Sequence, residues 1–233
     1  MSSIPLILLP GQLNDAALWS NQIRDLADLA APILVPDLTQ DETLGAMAER
    51  VLAAAPPVFA AAGLSMGGYL LFELLRQAPE RIDRVAFLNT SARADDEVQA
   101  RRRRGLSIAV EIGQFKGVTR KALPGIVAPE NVDKPGLADI VMTMTERVGR
   151  VAFQRQQRAL LARPDSRPDL SAIDVPVLVI AGAQDRMTPP DRSEEIAAGI
   201  PHARLEILDP AGHLTPLEQP ERVSELMRAW LER

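Results

Sequence analysis

The chain has 233 residues, 46% of them hydrophobic and 24% charged, a balance that gives a folded globular protein with a sizeable core and excludes a disordered one. Its formal net charge of -5 offers no broad attraction to nucleic acid, whose binding leans on many Lys and Arg contacts to phosphate. There is no cysteine, so disulfides, thiolate chemistry and cysteine-held zinc are excluded.

The first apolar run, "IPLILLPG", lacks a basic leader, and Pro10-Gly11 end it far short of a membrane span, so it reads as a strand. A cytoplasmic protein with no membrane association is expected. Further short apolar runs follow at Ile33–Val35, Val58–Ala62, Val85–Asn89, Val177–Ala181 and Leu205–Leu208. Helical spacing fills the gaps at Asp15–Leu29, Thr43–Ala54, Gly67–Gln77, Pro190–Ala198 and Glu221–Leu231. This alternation predicts an α/β fold, a doubly wound, mostly parallel six-stranded sheet covered on both faces. Between Thr90 and Pro176 the alternation lapses, and Pro and Gly residues divide a helical pattern into three or four short helices. The expected division is a core of residues 1–90 and 173–233 with a helical insertion at 91–172 packed over one end of the sheet. Arg101 to Arg104 form the one basic run, read as a solvated helix face.

The chemistry centres on "GLSMGG", residues 63–68. Ser65 lies between an expected strand and an expected helix with glycines two residues to either side. So tight a turn strains the serine and tolerates only glycine at its flanks. It would lift Oγ above the sheet at a helix N-terminus, with the Met66 N–H turned outward to an oxyanion. The spacing is not that of a dinucleotide loop and no Walker lysine is present.

A serine hydroxyl needs a base, and the base needs an orienting partner. The chain offers two histidines. His202 precedes a strand, whereas His213 follows the last one and so shares the C-terminal sheet edge with Ser65, where open α/β sheets hold their sites. Asp185, just beyond the strand ending near Ala181, is the orienting acid. Asp209 is too near His213, Asp174 precedes its strand, and Asp191 starts a helix. Asn89 occupies the other strand end where an orienting acid could stand, and it is not an acid.

In this order, "LPGQLNDAALW", "GLSMGGY", "AGAQDRMTPP" and "AGHLTPLEQPERV" resemble the oxyanion loop, nucleophile elbow, acid loop and histidine loop of the α/β-hydrolase fold superfamily, in its esterase, lactonase and haloperoxidase-like branch. The resemblance implies a triad of Ser65, Asp185 and His213 with no cofactor and no metal. It carries the second oxyanion donor onto the backbone N–H of Gln12, with Leu13 the alternative if the turn is shifted by one. It also makes the insertion a cap over a pocket to which Leu13, Met142 and Met144 would contribute. Two departures stand out: Pro10-Gly11 replaces the usual His-Gly, and too few residues precede it for the family's two antiparallel edge strands. Six parallel strands in the order 2-1-3-4-5-6 are therefore expected. The implied reaction is hydrolysis of a small to medium carboxylic ester or lactone through an acyl-enzyme. A lyase of the same fold, of menaquinone-pathway type, and a non-catalytic small-molecule receptor stay open, as does a homodimer.

Overall fold

A computed structural model describes residues 3–113 and 115–233. Strands β1 (Ile4–Leu9), β2 (Ala30–Leu34), β3 (Phe59–Leu64), β4 (Ile82–Leu88), β5 (Val177–Gly182) and β6 (Arg204–Leu208) form one sheet. Their spatial order is β2-β1-β3-β4-β5-β6, with every neighbouring pair parallel. This is the order and orientation the sequence predicts.

Successive strand residues point to opposite faces, and both faces are dry. On one side Leu6, Leu8, Ala62, Leu88 and Ile180 pack under residues of the last helix, Trp230 among them. On the other, Ile7, Leu9, Phe59, Phe87 and Val179 pack against a second helical layer that includes Met47, Leu70 and Ile196. Burial on both faces explains why β3 and β5 read as unbroken apolar runs rather than alternating ones.

The covering helices are α1 (Ser20–Asp25), α2 (Leu44–Ala54), α3 (Met66–Gln77), α4 (Glu97–Ile112), α5 (Leu137–Leu161), α6 (Pro190–Gly199), α7 (Thr215–Glu218) and α8 (Pro220–Leu231). Local chemistry sets several of their ends. The Thr43 side chain accepts from Ala46 N to start α2, and Asp96 with Gln99 makes a capping box on α4.

The structure departs from expectation in three places. The helix expected over 15–29 is a 3-10 turn at Ala16–Trp19 followed by the short α1, because Leu29 N and Ala30 N both turn back to Leu26 O. Strand β2 then begins at Ala30, ahead of the expected Ile33, and it includes Pro32; at a sheet edge, the missing proline N–H costs no ladder bond. Within residues 91–172 the helical stretches, joined by 3-10 turns, are α4 and the two arms of α5, and their breaks fall elsewhere than expected. Gly105 sits inside α4 with open space where a side chain would be, so it costs the helix only about 1 kcal/mol. Gly149, at φ 74°, does break α5.

The chain leaves β1 to one side and β3 to the other, and the crevice outside strand C-termini at such a reversal is where α/β sheets bind ligands. Among the described residues no helix is long and apolar enough to cross a membrane.

Candidate active site

Among the described residues, three non-glycine residues have positive φ: Leu13 at 61°, Ser65 at 54° and Asn89 at 46°. They follow β1, β3 and β4 at one edge of the sheet, and backbone strain gathered in this way marks a site.

Ser65 (ψ -111°) stands at the N-cap of α3, a position where serine ordinarily accepts from the helix's first N–H groups, yet its side chain makes no capping bond. The turn is held by the backbone instead. Ser65 N donates to Leu88 O at 3.0 Å, and Ser65 O accepts from Gly68 N at 2.9 Å and Tyr69 N at 3.2 Å. The Thr90 hydroxyl also donates to that carbonyl at 2.8 Å. The glycines are steric necessities: a side chain on Gly63 would strike the Gly67 backbone, and one on Gly67 the Leu9 carbonyl. The hydroxyl is thus left uncommitted on the wall of a cavity of about 110 Å³, which His213, Gln12 and Leu13 also line.

His213 and Asp185 meet from the loops after β6 and β5. His213 Nδ1 lies 2.8 Å from Asp185 Oδ2, and both residues are buried, at 4% exposure each. A carboxylate cannot donate, so Nδ1 carries the proton and Nε2 of the neutral ring is left as the acceptor. Asp185 is fully engaged. Oδ1 accepts from Met187 N at 2.8 Å and Thr188 N at 3.0 Å, while Oδ2 also accepts from Asn89 Nδ2 at 2.9 Å and stands 2.8 Å from the Thr188 hydroxyl. Burial alone would raise the Asp185 pKa; attraction to the His213 ring in its protonated form and these hydrogen bonds outweigh it and hold the carboxyl below its ordinary value.

Asn89 thus stands where an orienting acid was considered, but it supports the acid instead. It donates to Asp185 and, at 3.0 Å, to Gly212 O, and accepts from the Thr215 hydroxyl at 2.6 Å.

The two backbone N–H groups singled out in the sequence face different fates from their neighbour's. Leu13 N donates to Gln156 Oε1 at 3.1 Å, whereas Gln12 N and Met66 N have no acceptor among the described residues. Leu13 contributes its side chain to the cavity. Met142 and Met144 do not line it: the phase of α5 turns Val141 toward the cavity, seats Met144 in the fully buried core and leaves Met142 half-buried. His202, Asp209, Asp174 and Asp191 are all exposed.

Several participants carry no sequence signal. Gln156, 1% exposed, ties the β1 loop to the chain at Leu38, whose carbonyl it binds at 3.2 Å. Glu218, 3% exposed, accepts from the N–H groups on both sides of His213, Gly212 at 2.8 Å and Leu214 at 2.9 Å. It also binds Ala128 N at 2.8 Å. Arg103 is a further surprise: of the basic run, Arg101, Arg102 and Arg104 are exposed, but Arg103 turns onto the cavity wall. Periodicity could not single it out, because no residue of α4 is fully buried.

Glu218→Gln tests the clamp on the histidine loop. The amide can replace one carboxylate oxygen but sets an N–H₂ group against N–H donors, so a loss of about 2–3 kcal/mol is expected. Urea unfolding with an unchanged slope would measure it; an unshifted midpoint would show that the clamp contributes nothing.

Among the described residues no group of three or more His, Cys, Asp or Glu side chains could hold a metal ion.

Residues 6–226 match the alpha/beta hydrolase family. The chain is 32% identical over 179 residues to 3-oxoadipate enol-lactonase 2 of Acinetobacter baylyi, a match covering 73% of this chain and 62% of that enzyme. It is 26% identical to the pimeloyl-[acyl-carrier protein] methyl ester esterase of Neisseria meningitidis, over 73% of this chain and 67% of the esterase. The structure of a thermophilic esterase from Thermogutta terrifontis with malate bound superposes with a TM-score of 0.89 at 26% identity, covering 99% of this chain and 90% of that one.

Proposed function

The chain belongs to the alpha/beta hydrolase family, and on that premise we propose that it is a serine hydrolase acting on small carboxylic esters or lactones through an acyl-enzyme. The observation that carries this reading is the convergence on one cavity of an uncapped, uncommitted Ser65 hydroxyl and the 2.8 Å His213–Asp185 pair. The lactonase and esterase names of its relatives support the same chemistry. In this mechanism His213 Nε2 takes the Ser65 proton as Oγ attacks the carbonyl carbon. The developing oxyanion receives the free N–H groups of Gln12 and Met66, while Asp185 holds the imidazole in its tautomer. His213 then returns the proton to the leaving alkoxide, and a water activated by the same base releases the acid. The serine–histidine hydrogen bond that this step needs forms as substrate fills the site.

Residues 91–172 act as the cap over a core of 1–90 and 173–233. Arg103, Val118, Ile126, Val141 and Leu160 of this segment line the same cavity as Ser65, which supports that role. At about 110 Å³ the cavity falls below the roughly 300 Å³ at which larger ligand pockets begin, which supports a short acyl group.

A fluorophosphonate probe tests the reading directly. One equivalent should attach to Ser65, abolish turnover of short p-nitrophenyl esters, and be blocked by prior substrate. An enzyme that turns over esters while Ser65 stays unlabelled would refute it.

A further inference from the structure

We propose that the cavity selects a substrate carrying a carboxylate away from its scissile bond, a monoester or lactone of a short dicarboxylic acid, and that Arg103 binds that carboxylate. The proposal rests on the hydrolase reading for the reaction but not for the anion site itself.

Among the described residues, Arg103 is the one guanidinium on the wall that also holds Ser65 and His213, and no carboxylate side chain lines that wall. Its fork is already fixed. Nε donates to Asp95 Oδ2 at 2.6 Å and Nη1 to Gln157 Oε1 at 3.2 Å, while Nη2 has no acceptor among the described residues. The side chain is 21% exposed, dry enough for a charge-assisted bond to matter and open enough to be reached.

The local charge does not balance. Asp95, with a side chain 2% exposed, is shared: its Oδ1 lies 2.8 Å from Nη1 of Arg163, whose side chain is 5% exposed. Arg163 in turn stacks over the Tyr69 ring at 4.3 Å, and Tyr69 is itself on the cavity wall. Two guanidinium charges against one carboxylate leave one positive charge beside the cavity. A desolvated charge is costly until it is paired, so an anionic guest gains what a neutral isostere cannot. Because Asp95 and Gln157 hold the fork in place beforehand, little side-chain freedom is lost when the guest binds.

The test compares p-nitrophenyl hydrogen glutarate, which presents a free carboxylate, with the neutral p-nitrophenyl pentanoate. Wild-type protein should favour the glutarate ester in kcat/KM. Arg103→Gln should lower the acid-to-neutral ratio about ten- to hundredfold, chiefly through KM, with partial recovery in Arg103→Lys. Calorimetry supplies a readout free of chemistry: glutarate should bind the Ser65→Ala protein and fail to bind the Ser65→Ala, Arg103→Gln double variant. Arg103-dependent glutarate binding in a protein that hydrolyses no ester would keep the anion site and overturn the hydrolase reading. Ester turnover with a ratio and a glutarate affinity indifferent to Arg103→Gln would do the reverse, leaving Arg103 only a tie between α4 and α5. If Arg103→Gln fails to fold, the wild-type ratio decides, and a value at or below one overturns the proposal.

Discussion

Replacing Ser65 by alanine should lower kcat toward short esters by roughly 10⁴- to 10⁶-fold while leaving the fold intact. The catalytic loss follows from the removal of the one atom that would bond to the acyl carbon. Little else should change. Oγ makes no capping bond, and every hydrogen bond that shapes the turn uses the Ser65 backbone, from Leu88 O on one side to Gly68 N, Tyr69 N and the Thr90 hydroxyl on the other. Alanine meets the φ of 54° with the same Cβ that serine already carries. Circular dichroism and thermal unfolding should therefore be close to wild type. A folded Ser65→Ala protein with near-wild-type turnover would remove the serine from the mechanism.

Asp185→Asn should cost roughly 10⁴-fold in kcat, for a different reason. The asparagine carbonyl can keep the bonds from Met187 N and Thr188 N. Its N–H₂ then occupies the place of Oδ2 and confronts two donors, Asn89 Nδ2 and His213 Nδ1. Imidazole can relieve that clash by moving its proton to Nε2, which makes it useless as the base toward Ser65. Stability should respond with a defined sign. The folded Asp185 pKa is depressed despite burial, because attraction to the protonated His213 ring and the hydrogen bonds outweigh desolvation. Its contribution is therefore fully present above the unfolded-state value and is lost as pH falls through the lower folded one. The difference in urea midpoint between wild type and Asp185→Asn should be widest near about pH 5 and shrink progressively as the pH falls below about 3.9. Other carboxylates titrate alike in both proteins and cancel. A gap that ignores pH over this range would contradict the ion-pair description.

These two residues were legible in the sequence because they obey rules of order and edge. Strand C-termini in a parallel sheet all lie at one end, so a serine after β3, an acid after β5 and a histidine after β6 share that end whatever the intervening chain does. Having only two histidines reduced the choice of base to which side of a strand each one occupies. That the strands form a parallel sheet covered on both faces followed from the same alternation; their spatial order came from the resemblance to the family plan, because the alternation itself is shared by several strand orders.

The remaining participants depend on contacts between residues far apart in the chain, and no local pattern announces those. Gln156 is 143 positions from Leu13, and Asn89 is 96 from Asp185; a buried amide on a helix looks like any other polar residue until its partner is found. Helix phase was equally out of reach. Met144 belongs to the core and not to the cavity, and Arg103 faces inward from a run of four arginines, because the seating of α4 and α5 on the rest of the fold sets which side of each helix is covered. The sequence by itself determined that a parallel sheet forms and at which edge serine, acid and histidine stand, since local periodicity and chain direction suffice for those. The tertiary structure alone decided which N–H groups are left free, what clamps the histidine loop and which charge reaches the cavity, since each is a balance of long-range hydrogen bonds and packing.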